Sequence, residues 1–89
     1  MFVISGIYKI ENVVNHKVYI GQSIDVYRRF KEHFQSSSKL SNTYLHYAIF
    51  HYGIENFTFQ ILKETYDLDY WEKFFITIYH SYDAKYGYN

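Results

Sequence analysis

From its second residue the chain alternates Phe2, Ile4, Gly6, Tyr8 and Ile10 against Val3, Ser5, Ile7, Lys9 and Glu11. This is the period of two that a strand imposes, and both faces carry apolar residues, so both are expected to be covered. Val18 and Ile20 alternate with Lys17, Tyr19 and Gly21 in a second predicted strand. The link Asn12-Val13-Val14-Asn15 has turn-favouring asparagine at both ends, which predicts a hairpin. With the turn centred between Val13 and Val14, the antiparallel register sets Tyr8 opposite Tyr19 on one face.

The period then lengthens. Ser23 is placed to cap a helix over residues 24–35, whose apolar stripe Val26, Phe30 and Phe34 recurs at i, i+4, i+8. Residues 35–41 are a polar, serine-rich loop. A second helix from Asn42 carries Leu45, Ala48, Ile49 and Tyr52 on one face and ends at Gly53, a C-cap residue type. Phe57, Phe59 and Ile61 alternate with Thr58, Gln60 and Leu62 in a third strand. Asp67 or Asp69 opens a last helix with the stripe Leu68, Trp71, Phe75 and Tyr79. The strands are predicted near 3–11, 17–22 and 57–63, the helices near 24–35, 43–52 and 68–79, and the tail 82–89 as irregular and pinned by aromatics. The fold class is α+β: residues 1–89 form one domain, a small three-stranded antiparallel sheet flanked by three helices in the order β-β-α-α-β-α.

A chain of 89 residues must build its core efficiently, and this one relies on twelve Tyr, eight Phe and one Trp. It has no cysteine, which excludes a disulfide scaffold and thiolate zinc sites. No apolar run approaches the ~20 residues of a membrane span, and the start lacks the features of a signal peptide. A soluble cytoplasmic protein is expected, with no membrane partner. Nine Lys plus Arg balance nine Asp plus Glu, so any binding of nucleic acid should be weak, local or assisted by another module.

Gly6-Ile7-Tyr8 and Tyr19-Ile20-Gly21 put a tyrosine and a glycine into each strand of the hairpin. Two phenols converge on one patch, and Gly6 and Gly21 are expected to leave room for a substrate to approach the backbone. Arg29 and His33, four apart, lie one above the other beside the first helix's apolar stripe, aimed at the edge of the sheet. Taken alone the pair also reads as a basic residue and a histidine on a boundary face. Glu72 falls within the stripe of the last helix, where a carboxylate is costly unless paired, hydrogen-bonded or bound to a cation. An ion pair with Arg29 is the structural alternative. No second acidic residue has a spacing that suggests a shared cage, and a lone carboxylate suits one hydrated Mg²⁺.

These elements together resemble the GIY-YIG nuclease family: Gly6-Ile7-Tyr8, Tyr19-Ile20-Gly21, Arg29 and His33, Tyr52-Gly53 followed by Phe57-Thr58-Phe59, Glu72 before Phe75-Ile76, and the closing Gly87-Tyr88-Asn89. Each short motif is weak, but the ordered set is specific. The resemblance implies a metal-dependent DNA endonuclease using one Mg²⁺ or Mn²⁺. By it, Tyr8 is the general base or orients the attacking water, Tyr19 and His33 help Tyr8 lose or relay its proton, and Arg29 clamps the phosphate. Glu72 ligates the metal and Asn89 braces the site. These residues are expected around one concave, solvent-reached patch.

Where many homing members carry a further histidine after the first helix, this chain has Lys39-Leu40-Ser41-Asn42. His46 and His51 are given no catalytic role, and His16 and His80 are expected at the surface. Because the chain closes on Asn89, no recognition domain is expected to follow it. The expected partner is DNA, reached with a second copy of the chain or a separate recognition module. The alternative from another class is an inactive domain kept for DNA binding or assembly.

Overall fold

A computed structural model describes residues 3–34 and 43–89. Within them lie β1 (Gly6–Asn12), β2 (Val18–Ser23), α1 (Val26–Phe34), α2 (Thr43–Tyr52), a short 3₁₀ turn (Ile54–Asn56), β3 (Phe57–Glu64) and α3 (Leu68–Tyr79). The order is the expected one, and the strands form an antiparallel three-stranded sheet in the order β2-β1-β3. The polar loop 35–41 and the helix start at Asn42 lie outside the described residues.

The alternation along β1 divides the core in two. Tyr8 and Ile10 point to one face, where they meet Val26 from α1, Leu45 and Ala48 from α2, and Phe57 and Tyr88. Ile7, with Val18 and Ile20, points to the other, against Leu68, Trp71, Phe75 and Tyr79 of α3. Both faces of β1 read as apolar because each is covered by helix. Full burial of Ile7, Ile10 and Ile20 contributes roughly 1.5–3 kcal/mol per side chain.

The hairpin register differs from expectation by two residues. Tyr8 stands opposite Gly21, and Ile10 opposite Tyr19. The turn is longer than a tight Val13-Val14 turn because both asparagines bond their own backbone: Asn12 Oδ1 accepts from Val14 N and Asn15 Oδ1 from Lys17 N. His16 takes the left-handed conformation, φ 64°, and its N–H closes the loop onto Asn12 O at 2.8 Å. A shift of two preserves side-chain parity, so both phenols still share a face.

Asp25, rather than Ser23, caps α1. Ser23 Oγ accepts from Asp25 N, and Asp25 Oδ1 in turn accepts from Arg28 N, so the helix begins later than residue 24. Gly53 ends α2 as expected, with φ 91° and its N–H on Ile49 O. Asp67 opens α3 and His80, left-handed at φ 55°, closes it.

Beyond α3 the tail returns to the free edge of β2. Val18 and Gly87 form a parallel bridge, and Tyr88 N donates to Val18 O at 2.9 Å. The Asn89 side chain continues this ladder as a backbone would: Oδ1 accepts from Ile20 N and Nδ2 donates to Ile20 O, both at 2.8 Å. The tail thus covers an edge that would otherwise present unpaired backbone groups.

Candidate active site

Gly21 decides how Tyr8 lies. A Cβ on Gly21 would stand 2.8 Å from Tyr8 Cε2, and closer still to Cζ and the phenol oxygen, so the missing side chain makes room for the tyrosine's own ring. At Gly6 the same space is filled by the carbonyl of Lys63 and the Cα of Glu64. The expectation that these glycines open the backbone to a substrate is therefore corrected: both let parts of the protein approach each other. Tyr8 is only 1% exposed, so the anticipated patch does not have its phenol at an open surface.

His33 closes over it. Its Nε2 lies 2.7 Å from Tyr8 Oη, and the imidazole also packs edge-on to Tyr19, with ring centroids 5.4 Å apart. At 3% exposure His33 is deeper than Phe30 or Phe34 of the stripe it was expected to flank. Its ring takes the space under α1 because it hydrogen-bonds a phenol that the core already holds. Burial first, then His46 and Arg29, push its pKa down to about 4, so it is neutral at physiological pH. Burial raises Tyr8 well above the ordinary phenol value, Tyr19 and Glu72 add to the rise, and the Arg29 guanidinium opposes it. Tyr19 is raised by burial and by Glu72, with Arg29 again opposing. Arg29 is thus the cation beside both phenols.

Arg29 is half-buried on α1, where its Nε stands 3.0 Å from Glu32 Oε1, an ion pair off the N–H axis. The partner of Arg29 is Glu32, not Glu72. Glu72 itself belongs to α3, whose apolar stripe packs on the face opposite Tyr8, and it stands at the rim of that stripe. Its Oε1 accepts from Gln22 Nε2 at 3.2 Å, on β2, the strand that carries Tyr19 and Gly21. From there its charge reaches both phenols. The site straddles the β2 edge: phenols, imidazole and guanidinium on one side, carboxylate on the other, with Asn89 sealing the edge between Val18 and Gln22.

Sequence reading missed three participants. His46 of α2 puts Nε2 3.4 Å from His33 Nδ1; its signal was a place next to Leu45 and one turn before Ile49, on the shoulder of the apolar stripe. Gln22 joins Glu72 to Asp69, whose Oδ1 accepts from the same amide nitrogen at 2.9 Å. Asp69 therefore corrects the expectation of a solitary carboxylate, and its i, i+3 spacing from Glu72 was legible. Among the described residues no three His, Cys, Asp or Glu side chains form a cage. One half-buried carboxylate with a second beside it is a hard-oxygen donor set, which fits a Mg²⁺ that keeps most of its waters.

A groove of about 590 Å³ runs between α2 and the tail, lined by Tyr44, Tyr47, Tyr52 and Tyr82, and it meets the candidate site only at Asn89. It lies apart from the titratable cluster. Among the described residues it is in that cluster that an imidazole, a guanidinium and perturbed phenols converge, which makes it the candidate site.

A ββααβα domain with paired GIY and YIG tyrosines on one hairpin, an arginine and a histidine on the next helix and a glutamate on the last defines a nuclease catalytic domain, and this chain belongs to the GIY-YIG catalytic domain family, whose model matches residues 4–87. It is similar to the catalytic domain of the homing endonuclease I-TevI, with a TM-score of 0.80 and 35% identity over 96% of this chain and 96% of that one. A mutant of the intron endonuclease I-TevI catalytic domain matches with a TM-score of 0.82 and 34% identity over 97% of this chain and 92% of that one. Intron-associated endonuclease 1 of enterobacteria phage T4 is 49% identical over 35 residues, 39% of this chain and 14% of that protein's length. Among the described residues no helix is long and apolar enough to cross a membrane.

Proposed function

We propose that this domain hydrolyses phosphodiester bonds in DNA with the help of one divalent ion, Mg²⁺ or Mn²⁺. The observation that carries this is the buried 2.7 Å contact between Tyr8 Oη and His33 Nε2, set beside the Arg29 cation. A phenol serves as base near neutrality only with a proton acceptor within hydrogen-bond reach and a cation to favour the phenolate. His33 Nε2 is that acceptor and Arg29 opposes the rise that burial, Tyr19 and Glu72 impose on Tyr8; through these two groups Tyr8 activates the attacking water, while Tyr19 packs its ring on the Tyr8 and His33 pair. Arg29 binds the scissile phosphate, its planar fork matching two oxygens. Glu72 would hold the ion, which when bound stabilises charge on the phosphoryl group and the leaving oxygen. Asn89 braces β2 through Ile20.

The domain carries no net charge, so affinity for DNA comes from a second copy or from a recognition module acting with it. The cytoplasm is the compartment we assign, in keeping with a chain that uses no disulfides. Incubating supercoiled plasmid with the protein and Mg²⁺ or Mn²⁺ tests the reading. Nicked or linear product is expected, abolished by EDTA and in a Tyr8→Phe variant. DNA binding with no cleavage under any divalent ion would make the chain a binding or assembly module instead.

A further inference from the structure

The proton that Tyr8 gives up must end on a group that can hold it. His33 touches the phenol but is buried, lies close to the Arg29 charge, and has no carboxylate partner among the described residues. It can pass a proton on, yet it is a poor place to leave one. Its other nitrogen already has a neighbour: Nδ1 lies 3.4 Å from Nε2 of His46, with the two rings 5.6 Å apart. His46 is less buried than His33 and sits on a different element, α2.

We propose that His46 is the terminal acceptor of a proton relay that begins at Tyr8. The phenol O–H bond breaks as His33 gains a proton at Nε2, and the His33 Nδ1–H bond breaks as His46 gains one at Nε2. The products are a Tyr8 phenolate, a neutral His33 and a His46 imidazolium. Charge is thereby moved out of the buried ring, leaving the anion near Arg29 and the cation one imidazole further along. The titratable groups facing His33 are Tyr8 from β1, Tyr19 from β2, His46 from α2 and Arg29 on its own helix. Burial alone lowers His46 from its ordinary 6.5. The inference rests on Tyr8 as the group that activates water, and it makes His46 a positioning and relay residue that touches no substrate.

His46→Gln tests it, because a glutamine oxygen can still accept from His33 Nδ1–H but cannot take up the proton. Plasmid cleavage should slow about 10²-fold, the lower end of a general acid–base contribution, with DNA affinity unchanged. In the unmodified protein, activity should fall with acid as His46 protonates, below its ordinary value of 6.5. That limb should be lost in His46→Gln, and added imidazole should restore part of the rate. His51→Gln, exposed on the same helix, should match the unmodified protein. ¹⁵N NMR of His33 should show the proton on Nδ1 in both the parent and His46→Gln. A His46→Gln protein with parental rate and acid limb, or a His33 protonated on Nε2, would overturn the relay. A fully active Tyr8→Phe protein would instead overturn the role of Tyr8 itself, so the two failures are distinguishable.

Discussion

Replacing Gly21 with alanine adds one methyl group in a place where the structure has none to spare. The new carbon would lie 2.8 Å from Tyr8 Cε2 and nearer to Cζ, whereas carbon atoms pack best at ~3.5–4.0 Å, so the ring must retreat by about 1 Å or more. Tyr8 is 1% exposed and is enclosed by Tyr19, His33 and Phe59, with ring centroids 6.3, 5.6 and 5.5 Å away, so it has no free direction. Overpacking of this kind costs ~1–3 kcal/mol. At roughly 2 kcal/mol, a domain of this size loses roughly 8–16 °C of thermal stability. The hydrogen bond to His33 stretches with the ring from 2.7 Å to beyond the ~3.2 Å useful limit.

With Tyr8 in its proposed role, a displacement of that size costs about 10²-fold in rate, so Gly21→Ala should nick plasmid about a hundredfold more slowly even well below its melting temperature. Thermal denaturation followed by circular dichroism, and nicking assays on the same preparations, separate the two effects. The origin of the penalty is checked by a second background. In a Tyr8→Ala protein the clashing ring is gone, and Gly21→Ala should then be neutral or slightly stabilising, since alanine restricts the unfolded chain more than glycine does. An equal penalty in both backgrounds, or a Gly21→Ala protein with unchanged stability and rate, would refute the claim that this glycine exists for Tyr8.

Glu72→Gln should keep the fold but lower cleavage by orders of magnitude at unchanged or slightly higher DNA affinity, whereas Arg29→Ala should weaken cleavage and phosphate binding together; a salt titration beside a nicking assay separates them, and parental nicking by Glu72→Gln would return Glu72 to a structural role. Stability should also depend on His33: its folded pKa, about 4, lies below the ordinary 6.5, so the unfolded chain binds the extra proton first as pH falls. That contribution is complete above about pH 6.5 and lost progressively as pH drops toward 4, up to about 3 kcal/mol, and a His33→Gln variant should have a flatter melting profile across that window.

The parts of this fold that were legible in the sequence are those that local periodicity controls. The strand and helix order, Gly53 as the stop of α2 and the bounds of α3 follow from alternation, stripe spacing and glycine chemistry. The hairpin register was not legible, because it depends on whether Asn12 and Asn15 turn their amides onto the backbone, a choice the residue types permit without requiring. Ser23 and Asp25 are both capping residues, and only the geometry of their mutual bonds shows which of them caps α1. His46 left only a faint signal, its place on the shoulder of the α2 stripe. Its importance is defined by a ring on another helix, a relation that no spacing within α2 encodes.

The position of Glu72 shows why an edge strand carries the motif's second tyrosine and glycine. A carboxylate on the Tyr8 face would sit in the buried cluster of phenols and imidazole, where its charge would be costly. Half-buried on α3, Glu72 accepts from Gln22 instead, and across a single strand its charge still opposes ionisation of both phenols. This arrangement requires β2 to have one edge unburdened by another strand, and the order β2-β1-β3 provides it. The Asn89 amide pairs that edge at Ile20, accepting from its N–H and donating to its carbonyl. Asn89 thus pairs with its side chain where a strand would pair with its backbone, next to Gly21 and Gln22, where groups from the two faces of the sheet meet.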